Sequence, residues 1–274
     1  MDKQSFYHSI TVLDTETTHL LPAEAEIVEL AAARWSQQSQ WQITDRLFGA
    51  RGGIPPAASA KNNISPRMIQ DQPYWDQCTR EIKQLLAWDT TRWFVAHNCV
   101  YDQAVLAAAW QRCDSPADAQ HALDTDNWIC TWRLSKHILS HDFADIEYGL
   151  NYLRYLLDLA VPDDHVNHRA GADTLLCALL LDQLIEIALQ LSLLDPCEPL
   201  GPQLHDLCWR TLPITVWPMG KYRGVQMADI PTDYWAWALQ NLPALQENHT
   251  AYDRDLAENL RVLLASRLEH GHDL

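Results

Sequence analysis

Three segments of this chain place a carboxylate where the surrounding hydrophobic pattern calls for a buried side chain. In the first, Ile10, Val12, Asp14 and Glu16 share one parity. If the strand continues, both acids point to the same side as the apolar residues. In the second, Asp102, Val105, Leu106 and Ala109 recur at i, i+3, i+4 and i+7, just after His97-Asn98. That spacing sets Asp102 on the apolar stripe of a helix. In the third, the stripe Leu176, Leu180, Leu184, Ile187, Leu191, Leu194 extends backward by three onto Asp173, with His168 just upstream. A buried carboxylate is costly unless it is hydrogen-bonded, paired or bound to a cation. Mg²⁺ and Mn²⁺ are the cations that prefer an all-oxygen donor set.

The remaining patterns supply the frame. Apolar, β-prone runs predict strands at Phe6–Leu13, Ile27–Trp35, Trp41–Phe48 and Trp93–Ala96. Arg51–Ser59, with its glycines and prolines, reads as loop. Helices are expected at Asp102–Trp110, Trp132–Leu139 and Tyr148–Leu159, with the longest inside His168–Leu194. Strands first, then helices alternating with a further strand, indicate an α/β protein whose mixed sheet is covered by helices. Residues 195–202 hold three prolines and a glycine and read as a linker between a domain over 1–194 and a small module over 203–274. That module is expected to be α+β, with a hairpin at Gly220–Gly224 and helices near Thr232–Gln240 and Tyr252–Leu268.

Thirty-six acidic against twenty basic residues give a net charge of −16. That disfavours broad electrostatic coating of nucleic acid. One stretch departs from the trend: between Leu207 and Ala228 the charged residues are Arg210, Lys221 and Arg223. Lys221, Tyr222 and Arg223, framed by Gly220 and Gly224, suit a nucleic-acid contact in which the cations meet phosphate and the ring stacks. The competing reading is a plain turn with solvated charges. Seven cysteines without C-x-x-C spacing fit reduced thiols in a cytoplasmic protein. The first residues lack the pattern of a signal peptide, and Asp182 and Glu186 interrupt the longest apolar stretch, so no membrane span is expected.

Asp14-Thr15-Glu16, His97-Asn98-x-x-x-Asp102 and His168-x-x-x-x-Asp173 together resemble the three motifs of the DEDDh 3′→5′ exonucleases of the DnaQ-like group. The resemblance covers about residues 6–194, and the stretches Gly220–Gly224 and Tyr234–Trp237 extend it to nearly the whole chain. It implies an RNase H-like fold: a mixed five-stranded sheet flanked by helices. It also implies metal-dependent hydrolysis of DNA from single-stranded or frayed 3′ ends, in DNA repair or recombination. Two Mg²⁺ or Mn²⁺ ions would be held by Asp14, Glu16, Asp102 and Asp173, with Asp14 shared between them. His168 would deprotonate the attacking water, and Thr15, Thr17 and Asn98 would contact the terminal nucleotide.

Such motifs report chemistry and not the sugar. An RNA-trimming exoribonuclease of the same fold therefore stays open. So does a non-catalytic nucleic-acid-binding module, although retention of all four acids and His168 argues against it. One departure stands out. The family often carries a His in the segment after the third strand, and here Asn62 occupies that place in Lys61-Asn62-Asn63-Ile64-Ser65. Finally, Gln190-Leu191-Ser192-Leu193-Leu194 resembles peptides that bind sliding clamps, although Leu191 and Leu194 already belong to the helix stripe.

Overall fold

In the computed structural model, which describes residues 3–38, 40–139, 147–162, 168–247 and 252–269, the strand bearing the first two acids is β1, Ile10–Thr17. It begins later and ends later than its apolar run suggests. Phe6 and Tyr7 lie instead in a short helix, α1 (Lys3–His8), and both are buried. Phe6 packs against Trp93, and Tyr7 against Trp35 and Trp41. Adjacent residues of a strand point to opposite faces, so α1 lets both rings pack. At the other end, pairing with β2 (Ile27–Trp35) carries β1 through its polar residues, setting Asp14 beside Ala31 and Glu16 beside Glu29.

The sheet has the order β3-β2-β1-β4-β5, with β3 at Trp41–Leu47, β4 at Trp93–Ala96 and β5 at Trp128–Cys130. β2 runs antiparallel to both β1 and β3. β4 is parallel to β1, and β5 to β4. The residues of β2 from Ile27 to Ala33 are buried without alternation, as expected of a strand covered on both faces. β5 is three residues long, too short to leave a periodic signal in the sequence.

Helices surround this sheet. In chain order they are α2 (Pro56–Asn62), α3 (Pro66–Ile69), α4 (Thr79–Leu86), α5 (Cys99–Arg112), α6 (Pro116–Leu123), α7 (Thr131–Leu139), α8 (Leu150–Leu156) and α9 (Ala170–Gln190). α2 begins inside the expected loop, because Pro56 occupies the first helical turn, where a missing N–H does no harm. α9 packs across β1, β2 and β3, while α5 packs on β4 and β5. These two helices deliver the second and third acidic motifs to the sheet.

The chain divides into two units, Met1–Cys208 and Trp209–Leu274. The division therefore falls after the proline-rich stretch and after most of α10 (Leu200–Trp209). α10 belongs with the first unit for a physical reason. The Cys130 N–H donates to the Cys208 sulfur, and the Arg133 guanidinium donates to the Cys208 carbonyl at 2.8 Å. Gly201 is buried, and a Cβ added there would collide with the Trp93 indole.

In the second unit, α11 (Thr232–Asn241) and α12 (Arg254–Glu269) close over a core that includes Trp217, Met227, Trp235, Leu256 and Leu260. The expected hairpin is reduced to one antiparallel bridge, Val216–Gln226, with a 3₁₀ turn at Gly220–Tyr222. The β part of the α+β expectation thus amounts to a single pair among the described residues.

Replacing Gly201 by Val is expected to destabilise the first unit by about 1–3 kcal/mol through overpacking against Trp93. Urea unfolding followed by tryptophan fluorescence checks this; a midpoint equal to wild type would show that α10 does not dock this tightly.

Candidate active site

Asp14 and Glu16 stand on one side of β1, and Asp173 stands in the first turn of α9. Each offers a carboxylate oxygen within 4.8 Å of the other two. The backbone N–H of His168 donates to Asp173 Oδ2 at 3.1 Å, fixing that carboxylate relative to the histidine. His168 takes a left-handed φ of 59°, a conformation that costs a non-glycine residue energy and is found disproportionately at functional sites. Its side chain opens onto the same groove as the acids.

A further acid anchors this corner. Glu29, directly across from Glu16 in β2, is 1% exposed. It accepts two hydrogen bonds from Arg169 Nε, one from Arg169 Nη2 at 2.5 Å, and one from the Ala170 N–H at 2.9 Å. The pair ties the start of α9 to the middle of the sheet. Sequence reading assigned neither residue a role. The signal was present: Glu29 is an acid inside the apolar run Ile27–Ala33, and by the logic applied to Asp102 it required a partner.

Asp102 is also buried, on the inward face of α5. It accepts a 2.7 Å hydrogen bond from the Thr15 hydroxyl and lies outside the tight group formed by the other three acids. Thr15 has the opposite parity to Asp14 and Glu16, so α5 meets β1 through the residue between them. Of the expected nucleotide contacts, Thr17 lines the groove and its hydroxyl bonds to that of Tyr101 at 2.6 Å. Asn98 is exposed, caps α5 in a left-handed conformation (φ 66°) and does not line the groove. His97 bridges Thr131 at 3.0 Å and the Tyr148 carbonyl at 2.8 Å. Burial lowers its pKa to about 4, so it is a neutral brace between β4, α7 and the segment before α8.

Asp14, Glu16 and Asp173 sit along an open groove of about 1030 Å³. Its walls include His19, Leu20, Lys61, Asn62, Tyr101, Tyr152 and Tyr155. Tyr155 and Leu20 are strongly exposed. Asn62 is buried, its amide reaching the Thr17 carbonyl and its oxygen accepting from the Ile64 N–H. Asn62 thus braces the wall behind Thr17.

Electrostatics record the crowding. Burial is the largest cause of each raised pKa. Asp14 is held well above the usual carboxylate range, first by burial and then by Asp102, Glu16, Asp173 and Glu29. Glu16 is pushed up to about 8 by burial, Asp173 and Glu29, with Lys61 opposing. Asp102 rises to about 7 by burial, against the hydrogen bond from Thr15. Asp173 rises to about 6 by burial, against His168. An all-oxygen donor set of mutually repelling carboxylates fits a hard divalent cation.

Lys221, Tyr222 and Arg223 lie in the second unit, apart from this cluster in the division of the chain. At Gln190–Leu194, α9 ends at Gln190, Leu193 is half-buried and Leu194 is buried. Gln190, Leu191 and Ser192 are exposed, so Leu191, the residue that caps α9, leaves the buried stripe, and clamp contact finds no support. Among the described residues no helix is long and apolar enough to cross a membrane.

Residues 11–181 match the model of the family described as Exonuclease (RNase_T). The chain is similar to Exodeoxyribonuclease 10 of Escherichia coli K12, with 24% identity over 86% of this chain and 93% of that protein. It shares its fold with exonuclease X in complex with 5′ overhanging duplex DNA (TM-score 0.50, 22% identity, 73% of this chain and 99% of that one). The same holds for the zinc-bound form of the E. coli exonuclease I–single-stranded DNA complex (TM-score 0.55, 15% identity, 72% and 42%). The match spans all five strands and the three acidic motifs: the chain belongs to the exonuclease family, in its DnaQ-like 3′–5′ group.

Proposed function

We propose that this chain removes nucleotides from DNA 3′ ends by metal-dependent hydrolysis, in the service of DNA repair or recombination. The observation that carries the reading is the convergence of Asp14, Glu16 and Asp173 in an open groove walled by aromatic and aliphatic side chains. DNA as substrate is supported by the name of the bacterial relative and by the DNA strands bound in the two solved neighbours.

Asp14, Glu16, Asp173 and Asp102 would hold two Mg²⁺ or Mn²⁺ ions, which when bound would supply positive charge to the scissile phosphate and lower the pKa of a water. The protein's own groups do the rest. His168 accepts the proton of the attacking water, and its tie to Asp173 keeps it beside the acids. The Glu29–Arg169 pair holds that corner in register with β1. Thr15 keeps Asp102 oriented with its hydroxyl, leaving its backbone, with that of Thr17, to meet the terminal nucleotide. Exposed Lys61 stands where it can balance the phosphate charge. Tyr152 and Tyr155 offer ring faces to bases.

Asp14→Asn or Asp173→Asn is expected to lower kcat by on the order of 10³-fold or more while preserving the fold. His168→Gln should cost roughly 10²–10⁴-fold. Gel ladders of 5′-labelled single-stranded DNA and RNA with Mg²⁺, Mn²⁺ or EDTA check both. Near wild-type shortening of DNA by either Asp variant would sink the assignment, and preference for the RNA strand would redirect it.

The raised acids also predict a pH dependence. Between the unfolded values near pH 4 and the folded values of about 6, 7 and 8, the folded state binds more protons than the unfolded one. These acids therefore make stability without metal fall as pH rises across that window, against the opposite contributions of His97 and Cys130, whose pKa values are lowered to about 4 and about 6. Thermal melts in EDTA should show a melting temperature lower at pH 8.5 than at pH 5.5, and Mg²⁺ should raise it most at the upper end. A melting temperature in EDTA that climbs with pH would contradict the sign.

A further inference from the structure

Two tryptophans of α11, Trp235 and Trp237, have opposite fates. Trp235 is 0% exposed in the core of the second unit, whereas Trp237 is 49% exposed. Trp237 is not isolated. Its ring lies 5.5 Å from that of Tyr234, inclined by 33°. Tyr234 meets Tyr222 edge-on at 4.6 Å, and the Lys221 ammonium lies 4.9 Å from the Tyr222 ring centre. These contacts form one continuous ladder from a cation to an exposed indole.

The ladder alters the role that the sequence suggested for Tyr222. Its ring is half-buried against Tyr234, so it supports its neighbours and is not free to stack on a base. Trp237 is the ring with an open face. Lys221 and Arg223 are exposed and, among the described residues, neither pairs with a carboxylate. Gly220 and Gly224 hold left-handed φ values of 60° and 84°, and a Cβ at Gly224 would meet nothing within 4 Å. The loop is thus uncrowded at Gly224, while the N–H groups of Arg223, Gly224 and Val225 donate within the unit, which leaves phosphate contact to the two cationic side chains. Asp229, just before α11, and Asp233, in its first turn, are also exposed, which limits the positive charge to a few contacts.

We propose that this patch is a second nucleic-acid site, which binds single-stranded DNA, with Trp237 stacking on a base and Lys221 and Arg223 meeting phosphates. The choice of DNA rests on the proposed function above. The choice of a polyanion over a protein partner rests on charge. From Leu207 to Ala228 the chain carries three cations and no acid, within a protein of net charge −16. A contact made of one stack and two phosphates also gives a small footprint, as that overall charge requires.

The test uses the full chain and two substrates: a single-stranded oligonucleotide of about 30 residues, and the p-nitrophenyl ester of thymidine 5′-monophosphate, too small to reach a second site. Trp237→Ala is expected to raise KM for the oligonucleotide roughly tenfold, the loss of about one base stack. Turnover of the small ester should be unchanged, and Trp237→Phe should retain most of the affinity. Replacing both Lys221 and Arg223 by Ala should flatten the salt dependence of oligonucleotide binding by about 1.4 in log–log slope. A wild-type enzyme that degrades the oligonucleotide while all variants keep its KM and salt slope would overturn the second site and leave the proposed function intact. Absence of any DNA hydrolysis by wild type would overturn the function instead. In that case anisotropy of labelled oligonucleotide in EDTA decides the site: binding weakened by Trp237→Ala supports it, and equal binding rejects it.

Discussion

The structure depends on holding like charges together at the end of one strand. Asp14, Glu16 and Asp173 bring carboxylate oxygens within 4.8 Å of one another, with Asp102 and Glu29 close enough to raise their pKa values further. Left alone, such a cluster would push the sheet and α9 apart. It is held by covalent spacing within β1, by the apolar packing of α9 across three strands, and by the Glu29–Arg169 pair. In that pair a buried acid has a half-buried basic partner, and it relieves Glu29 without neutralising the acids that face the groove.

The division of labour among the acids follows. Glu29 has its charge satisfied internally and serves architecture. Asp102 is partly satisfied by Thr15 and stands between the two roles. Asp14, Glu16 and Asp173 retain unsatisfied repulsion, and so retain affinity for a cation. The energetic tension that a purely structural site would remove is here left in place on the side that opens to the groove.

Much of this was legible in the chain. Strand β2 was expected with its observed bounds, as was β4, because each is a short apolar run with clear polar edges. The inward facing of Asp14, Asp102 and Asp173 was legible because parity along a strand and the 3.6-residue period of a helix are local properties. Local signals also failed in identifiable ways. Phe6 and Tyr7 looked β-prone, yet two neighbouring rings that both need burial favour a helical turn. The prolines at 196, 199 and 202 looked like a boundary, but they lie within the first unit, where α10 docks on Trp93.

What the sequence determined by itself is therefore local: which acids point inward, on which elements, with which histidine nearby. Only tertiary structure decided how they are held. Glu29 and Arg169 are 140 residues apart, and Thr15 and Asp102 are 87 apart. Such contacts leave no periodic trace, because they depend on strand order and helix docking rather than on neighbours in the chain. The same holds in the second unit, where a tyrosine that looked available is packed, and of two tryptophans on one helix one is buried and the other exposed. Burial is a property of the assembled fold, and a residue's type constrains it without fixing it.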